Sequence, residues 1–210
     1  MIRPIVELPI EVTITKAMVA AVERIGKMTE HYSKYTPGGW EAVSLRSFGG
    51  RVSEISKPAC MNSAWLKKHP GALKWDCKDT DLYTELEIFR PLVETIPGEK
   101  ERIRFMKLRA GSEILQHTDR VDKDFINERL RRIHIPITTN KQVIFYTWIG
   151  QRECTDHLEV GKVYFLNAGL KHAVNNNGKT DRVHLVMDVV ANPKLNQIMS
   201  PQLELEAGAE

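Results

Sequence analysis

A mainly β protein, with helices placed ahead of a β-sandwich or barrel core, is what this sequence predicts. From Arg102 onward short β-type runs recur: Ile103–Leu108, Ile114–Gln116, Ile133–Thr138, Val143–Trp148, Lys162–Leu166 and Val183–Val190. Turn signals separate them, among them Ala110-Gly111-Ser112, Thr139-Asn140, Gly150, Gly161, Gly169 and Asn175-Asn176-Asn177-Gly178. Regularly spaced short strands with such punctuation belong to sandwiches and barrels. Before Arg102 the apolar spacing is largely helical. The 210 residues suffice for a single domain with a substantial core. Its expected parts are helical or mixed support with a possible lid over about 1–100, the β core over about 101–192, and a tail over 193–210.

In chain order, Ile5 to Ile14 is apolar and β-branched, interrupted by Pro9, and reads as a first strand or edge segment. Thr15 can cap a helix from Lys16 to about Tyr32, with Met18, Val22, Ile25 and Met28 on one face. Thr36-Pro37-Gly38-Gly39 ends it and leads into Trp40–Ser47, a strand by alternation. Residues 48–80 carry Gly49-Gly50, Pro58, Trp65, Pro70-Gly71 and Trp75 without a clear period. They read as a long ordered loop or short helical turns, a place where lids are found. Asp81 to Ile96 reads as a second helix, with Leu82, Leu86, Phe89 and Val93 on one face and Pro91 kinking or dividing it. The acidic stretch Glu204–Glu210 is expected to fray.

Composition excludes several functions. Thirty basic against 27 acidic residues leave a net charge of +3, too balanced for a nucleic-acid-binding face. Cys60, Cys77 and Cys154 are odd in number and lack CxxC spacing, which argues against a disulfide framework or a zinc knuckle and fits a reducing compartment. No stretch approaches the length of a membrane span, and Met1-Ile2-Arg3-Pro4-Ile5 has no apolar leader core. The expected location is the cytoplasm.

His117-Thr118-Asp119 stands at the end of a predicted strand. Residues i and i+2 project to the same face, so an imidazole and a carboxylate emerge side by side while Thr118 points away. His172 follows the Gly169-Leu170-Lys171 turn, 53 residues after Asp119 and ten before Arg182. This is the spacing expected of a 2-His-1-carboxylate iron(II) site, with three coordination positions left for a bidentate co-substrate and dioxygen. A lone His-x-Asp is common by chance, and most isolated histidines are surface or satisfied core residues.

Arg182 shifts that balance. It opens an otherwise apolar strand, and a guanidinium at a barrel mouth can grip a carboxylate through two parallel hydrogen bonds. A non-catalytic metal-binding barrel has no need of such an anchor. Arg132 and His134 form a second i, i+2 pair opposite Ile133 and Ile135. The pattern leaves open whether they face the barrel interior or solvent.

These segments resemble the aspartyl/asparaginyl β-hydroxylase type of iron(II)- and 2-oxoglutarate-dependent oxygenases, a group that includes bacterial hydroxylases of free proline. The resemblance is carried by Leu108 through Asp119, Arg132-Ile133-His134-Ile135-Pro136-Ile137, Gly161 through Asn167, His172 through Asn176 and Asp181-Arg182-Val183-His184-Leu185. Gly39-Trp40 and Leu45-Arg46-Ser47 are similar to the free-proline branch. The resemblance implies a double-stranded β-helix (jelly-roll, cupin-like) core, iron(II) on His117, Asp119 and His172, and Arg182 on the distal carboxylate of 2-oxoglutarate. It places Arg132 and His134 near the inner end of that co-substrate or the substrate carboxylate. The implied reaction uses dioxygen to hydroxylate a free amino acid, proline-like, or an Asp, Asn or Pro side chain in a peptide. A different outcome such as desaturation, and a non-catalytic metal-binding cupin-like module, are the competing readings.

Among other residues, Arg46 and Arg109 could hold a substrate carboxylate, though a plain salt bridge serves equally. Phe145, Tyr146 and Trp148 read as core. His31 and His69 read as surface, His157 as a solvated turn residue, and Asp122 and Asp124 as solvated charge.

Overall fold

The structure, a computed structural model, describes residues 4–31, 35–120 and 122–204, without the side chains of residue 126 and residues 200–204. Among the described residues twelve strands run in chain order: β1 Ile5–Glu11, β2 Thr29–Glu30, β3 Trp40–Phe48, β4 Cys77–Asp79, β5 Lys100–Leu108, β6 Glu113–His117, β7 Leu130–Thr138, β8 Val143–Ile149, β9 Arg152–Asp156, β10 Lys162–Leu166, β11 His172–Asn176 and β12 Arg182–Val190. The helices are α1 Lys16–Glu23, α2 Ser63–Lys68, α3 Asp81–Glu85, α4 Arg90–Glu94, α5 Lys123–Ile126 and α6 Pro193–Glu204. Strands pair into a large antiparallel sheet ordered β1-β10-β7-β12-β5-β3-β2, with β4 on β3, and a small one ordered β6-β11-β8-β9. Together they form the expected jelly roll.

The large sheet is covered on both faces. Val183, Leu185, Met187 and Val189 of β12 join Ile133, Ile135, Phe105, Val43 and Leu45 under Met18 and Val22 of α1, Leu92 and Val93 of α4, and Leu195 of α6. The opposite face contributes Trp40, Ala42, Met106, Tyr164, Leu166 and Val186 to a second core, closed by Ile114, Val143, Phe145 and Val174 of the small sheet. Full coverage explains why β12 is buried from Arg182 through Val189. It also places every second residue of β5, β7 and β12 inside the barrel.

Several expectations need correction. The sheet does not begin near residue 101, because β1 and β3 belong to it. The first helix starts as expected, with Thr15 Oγ1 accepting from the Met18 amide at 3.2 Å, but α1 ends at Glu23. Gly26 interrupts the helical run, and Thr29–Glu30 then pairs with Ala42 and Glu41 of β3. Residues 32–34, the end of the expected helix, lie outside the described residues. The first strand stops at Glu11. The expected helix from Asp81 to Ile96 is divided, with Pro91 in the first turn of α4, where its missing N–H costs nothing. Residues 193–204 are not a tail: Asn192 Oδ1 caps α6 by accepting from the Leu195 amide, and Leu195 and Met199 are buried. The acidic end, 205–210, lies outside the described residues. The aperiodic 48–80 segment does resolve into short turns, where Trp65 stacks on His69 and meets Trp75 edge-on.

Candidate metal centre

His117 ends β6 and His172 begins β11, and the two are direct cross-strand partners with ring centroids 4.3 Å apart. Two residues farther along β11, Val174 pairs with Ile114, so β6 spends three residues where β11 spends two. This bulge breaks the two-residue alternation and turns His117 inward beside Ile114, while Leu115 and Gln116 remain exposed. Asp119 lies two residues past the strand, its amide held by the Ala168 carbonyl at 2.9 Å. One ligand atom from each of His117, Asp119 and His172 falls within 4.8 Å of the others.

Both histidines are oriented in the same way. His117 Nδ1 lies 2.8 Å from the Leu115 carbonyl, and His172 Nδ1 lies 2.9 Å from the Leu170 carbonyl. A carbonyl only accepts, so Nδ1 carries the proton in each ring and Nε2 presents a lone pair, as a metal ligand requires. Burial, aided by His117 and Arg132, lowers the His172 pKa to about 4, which keeps the ring neutral. Burial would raise the Asp119 pKa, but the charge and hydrogen bond of Arg132 overcome it and hold the carboxyl at about 2. Two imidazole Nε2 atoms and a carboxylate form the donor set that can hold iron(II) on one face.

Arg132 is committed to carboxylates. Nη1 donates to Asp119 Oδ2, and Nε donates to Asp188 Oδ1 at 2.9 Å. Asp188 pairs in register with Arg102 of β5 on one side and Arg132 of β7 on the other. Its Oδ2 lies 2.7 Å from both Arg102 and Arg104. Burial opposes ionisation of Asp188, but these three guanidiniums hold its carboxyl far below the ordinary range. The network continues outward, Arg102 to Asp122 at 3.3 Å and Asp122 to Lys57 at 3.3 Å. Asp122 is therefore buried and paired, not solvated as the charge pattern suggested, because it meets Arg102 where it caps the start of α5.

Arg182 differs from these arginines. It is 2% exposed, two of its nitrogens, Nε and Nη1, have no hydrogen-bond partner, and among the described residues no carboxylate pairs with it. Its guanidinium sits 5.2 Å over the Phe145 ring. Burial pushes its pKa down to about 9. His134 and His184 lie beside it, both buried and driven well below the usual histidine range, first by burial and then by the Arg182 charge.

All six residues singled out in the sequence, His117, Asp119, Arg132, His134, His172 and Arg182, line one cavity. Arg132 and His134 thus face inward. A wider cleft of about 190 Å³ opens in front of His117 and Asp119, bordered by His31, Tyr35, Trp40, Lys57, Arg102 and Arg104. His31 is not a surface residue: it stacks on Trp40 at 3.6 Å, and burial with the nearby Arg104 charge lowers its pKa to about 3. Arg46 pairs with Asp79 and Arg109 with Glu41, away from the cavity, and the turn residue His157 holds the Val143 carbonyl. Phe145 is a wall of the cavity as well as core. Arg102, Arg104, Asp188 and His184 were missed, although Arg102-x-Arg104 and Arg182-x-His184 both have the spacing that puts two side chains on one strand face.

Buried neutral histidines make the fold acid-sensitive. His31, His134, His172 and His184 all have depressed pKa values, so the unfolded chain takes up protons that the folded chain refuses. Their contribution is present above the ordinary value of 6.5 and is lost as pH falls toward about 4. Each removes at most about 1.4 kcal/mol per pH unit. The melting temperature of the metal-free protein should therefore drop steadily between pH 7 and pH 5; a flat profile would contradict this account.

Residues 12–192 match a family model described as Aspartyl/Asparaginyl beta-hydroxylase. The chain is 26% identical over 170 residues to an L-proline cis-4-hydroxylase of Rhizobium meliloti (strain 1021), covering 80% of this chain and 53% of that protein. It thus spans about half the length of this curated relative. Its fold is similar to that of a solved oxidoreductase of the 2OG-Fe(II) oxygenase family from Burkholderia pseudomallei, with a TM-score of 0.52 and 13% identity over 90% of this chain and 88% of that one. No helix among the described residues is long and apolar enough to cross a membrane.

Proposed function

The chain belongs to the aspartyl/asparaginyl β-hydroxylase family, and from that premise we propose that it is an iron(II)- and 2-oxoglutarate-dependent dioxygenase that hydroxylates a small, proline-like free amino acid. Residues 1–210 act in this reading as one oxygenase unit in the reducing cytoplasm, in keeping with three free cysteines. His117, Asp119 and His172 hold the iron through two Nε2 atoms and one carboxylate oxygen. Arg182 takes the distal carboxylate of 2-oxoglutarate. Together the iron, the co-substrate and dioxygen supply the oxidising power that places a hydroxyl group on an unactivated carbon.

The observation that carries this reading is Arg182, a cation buried without a counter-ion in the same cavity as the His-Asp-His set. A buried unpaired charge is costly, and a carboxylate ligand would complete it. Arg132, expected near a co-substrate or substrate carboxylate, instead clamps Asp119, so its role is to keep that carboxylate ionised and aimed. His134 remains a neighbour for the co-substrate. The cleft in front of the metal site keeps an excess of positive charge, with Lys57, Arg102, Arg104 and Arg132 on its wall against Asp119 and Asp122, even after Asp188 behind it has taken its share. That charge suits a substrate with a free carboxylate, and the volume suits a single amino acid better than a folded protein segment. The Rhizobium meliloti relative, described as acting on L-proline, supports the same choice.

The test is succinate release from 2-oxoglutarate by the iron(II)-loaded chain, screened with free amino acids and short peptides. L-Proline or a close analogue should stimulate release most. Arg182→Ala should raise the 2-oxoglutarate KM roughly 30-fold, the loss of one charge-assisted hydrogen-bond pair at about 2 kcal/mol. If the wild-type chain neither binds nor turns over 2-oxoglutarate and Arg182→Ala changes nothing, the metal-binding module without turnover becomes the better reading. A substrate-dependent product that gains a double bond and no oxygen would replace hydroxylation with desaturation.

A further inference from the structure

His134 and His184 meet inside the barrel through the same ring atom, Nδ1 to Nδ1 at 3.3 Å, with the rings nearly perpendicular at 85°. They project from adjacent strands, β7 and β12, on the face that also carries Arg182. Neither Nε2 has a hydrogen-bond partner, yet both atoms are buried. His134 lines the cavity with Arg182 and the His-Asp-His set. His184 is fully buried behind it, stacked on Phe145 at 5.8 Å.

Two imidazoles in this contact share one proton between their Nδ1 atoms, because two N–H groups would clash and two lone pairs would repel. Neither ring can take a second proton next to the buried Arg182 cation. Two arrangements remain. If His134 donated, its Nε2 lone pair would face the cavity beside Arg182, and His184 would carry a buried N–H with nothing to receive it. If His184 donates, the buried unfilled atom on His184 is a lone pair, and the one N–H left unpartnered belongs to His134 Nε2, which lines the cavity where an anion or a water can receive it.

We propose that His184 is a positioning residue: its Nδ1–H donates to His134 Nδ1 and fixes His134 as the tautomer whose Nε2–H, with Arg182, serves as a donor to the anionic co-substrate. The identity of that anion rests on the oxygenase reading above; the proton arrangement does not. The pair performs inside the barrel what the Leu115 and Leu170 carbonyls perform for the two metal-ligand histidines, with the opposite result. There Nε2 is left as an acceptor for a metal, whereas here it is left as a donor for a carboxylate.

Nitrogen-15 spectra of the full chain labelled at histidine test the arrangement directly, with the His134 signals assigned by their loss in His134→Gln. The expected result is the Nε2–H tautomer of His134 in the wild-type protein, with or without 2-oxoglutarate. An Nδ1–H tautomer would overturn the proposal, and this measurement needs no stable His184 variant. Anaerobic titration of 2-oxoglutarate into the iron(II) protein, followed by its visible charge-transfer absorption, supplies the second readout. His184→Leu should weaken 2-oxoglutarate binding roughly tenfold without weakening iron binding. His184→Asn, whose amide can replace the Nδ1–H donor, should restore it to within about threefold. Unchanged affinity in His184→Leu would also overturn the proposal while leaving the oxygenase reading intact. Absence of any 2-oxoglutarate binding by the wild-type protein would instead overturn that reading and the co-substrate half of the proposal, and the nitrogen spectrum would still decide the tautomer.

Discussion

Replacing His172 with alanine is expected to abolish tight iron(II) binding, raising the dissociation constant by at least about a hundredfold, above the range typical for loss of a residue that only supports a ligand. With three protein donors on one face of the ion, removal of any one leaves a bidentate site that water completes poorly. His172 is the cleanest of the three to remove. Its neighbours in the sheet, His117 and Thr147, are held by backbone pairing that an alanine preserves. Asp119→Ala should also lose iron, but it frees Arg132 from one of its two carboxylates and so perturbs more than the metal. Anaerobic calorimetric titration with iron(II), and with manganese(II) as a redox-stable probe, reads the effect. Stoichiometric, undiminished iron in His172→Ala would remove His172 from the ligand set.

Asp188→Asn is expected to have the largest effect on stability. Asparagine has the same shape and keeps one oxygen, but it removes the charge that three buried guanidiniums share. Breaking a buried ion pair from one side costs about 3–5 kcal/mol, because the remaining charge stays in a poor solvent. For a chain of this size that is on the order of 10 °C in melting temperature. The surface pair Arg46–Asp79 is the matched control. Its partners are 25% and 41% exposed, and Asp79→Asn should change stability by less than about 1 kcal/mol. Equal effects at the two sites would show that the arginine cluster is compensated by something other than Asp188. Since Arg132 bridges Asp188 and Asp119, the same variant should also loosen iron binding, by a smaller factor than His172→Ala.

Much of this site is legible in the linear sequence because metal ligation is a matter of residue type and spacing. His117-x-Asp119, His172 and Arg182 can be picked out on chemistry, and the structure draws all of them to one cavity. The β core is legible for a related reason: apolar alternation and glycine turns are local. What failed was local signal overridden by tertiary contact. The helical period from Lys16 continues past Glu23, yet Thr29 and Glu30 leave it for a sheet edge offered by β3. The aperiodic residues 48–80 gave no sign that Lys57 would be drawn to Asp122. Asn192-Pro193 is a helix-start signal that a reading of 193–210 as a tail passes over, and α6 forms against the outer face of the large sheet through Leu195 and Met199.

The polar face of the large sheet shows the division most clearly. Sequence alone set Arg132 and His134 against Ile133 and Ile135, and it carries a like alternation in β12, Arg182, His184 and Asp188 against Val183, Leu185 and Met187, although that strand reads as apolar after Arg182. Alternation says that the two faces differ; it does not say which one meets water. Only the tertiary structure decided that the apolar side packs under the helices while the charged side turns into the barrel. The physical reason is charge neutralisation. Asp188 between Arg102, Arg104 and Arg132 makes most of that interior self-sufficient, and the one cation left without a partner, among the described residues of this face, is Arg182 beside the three candidate ligands.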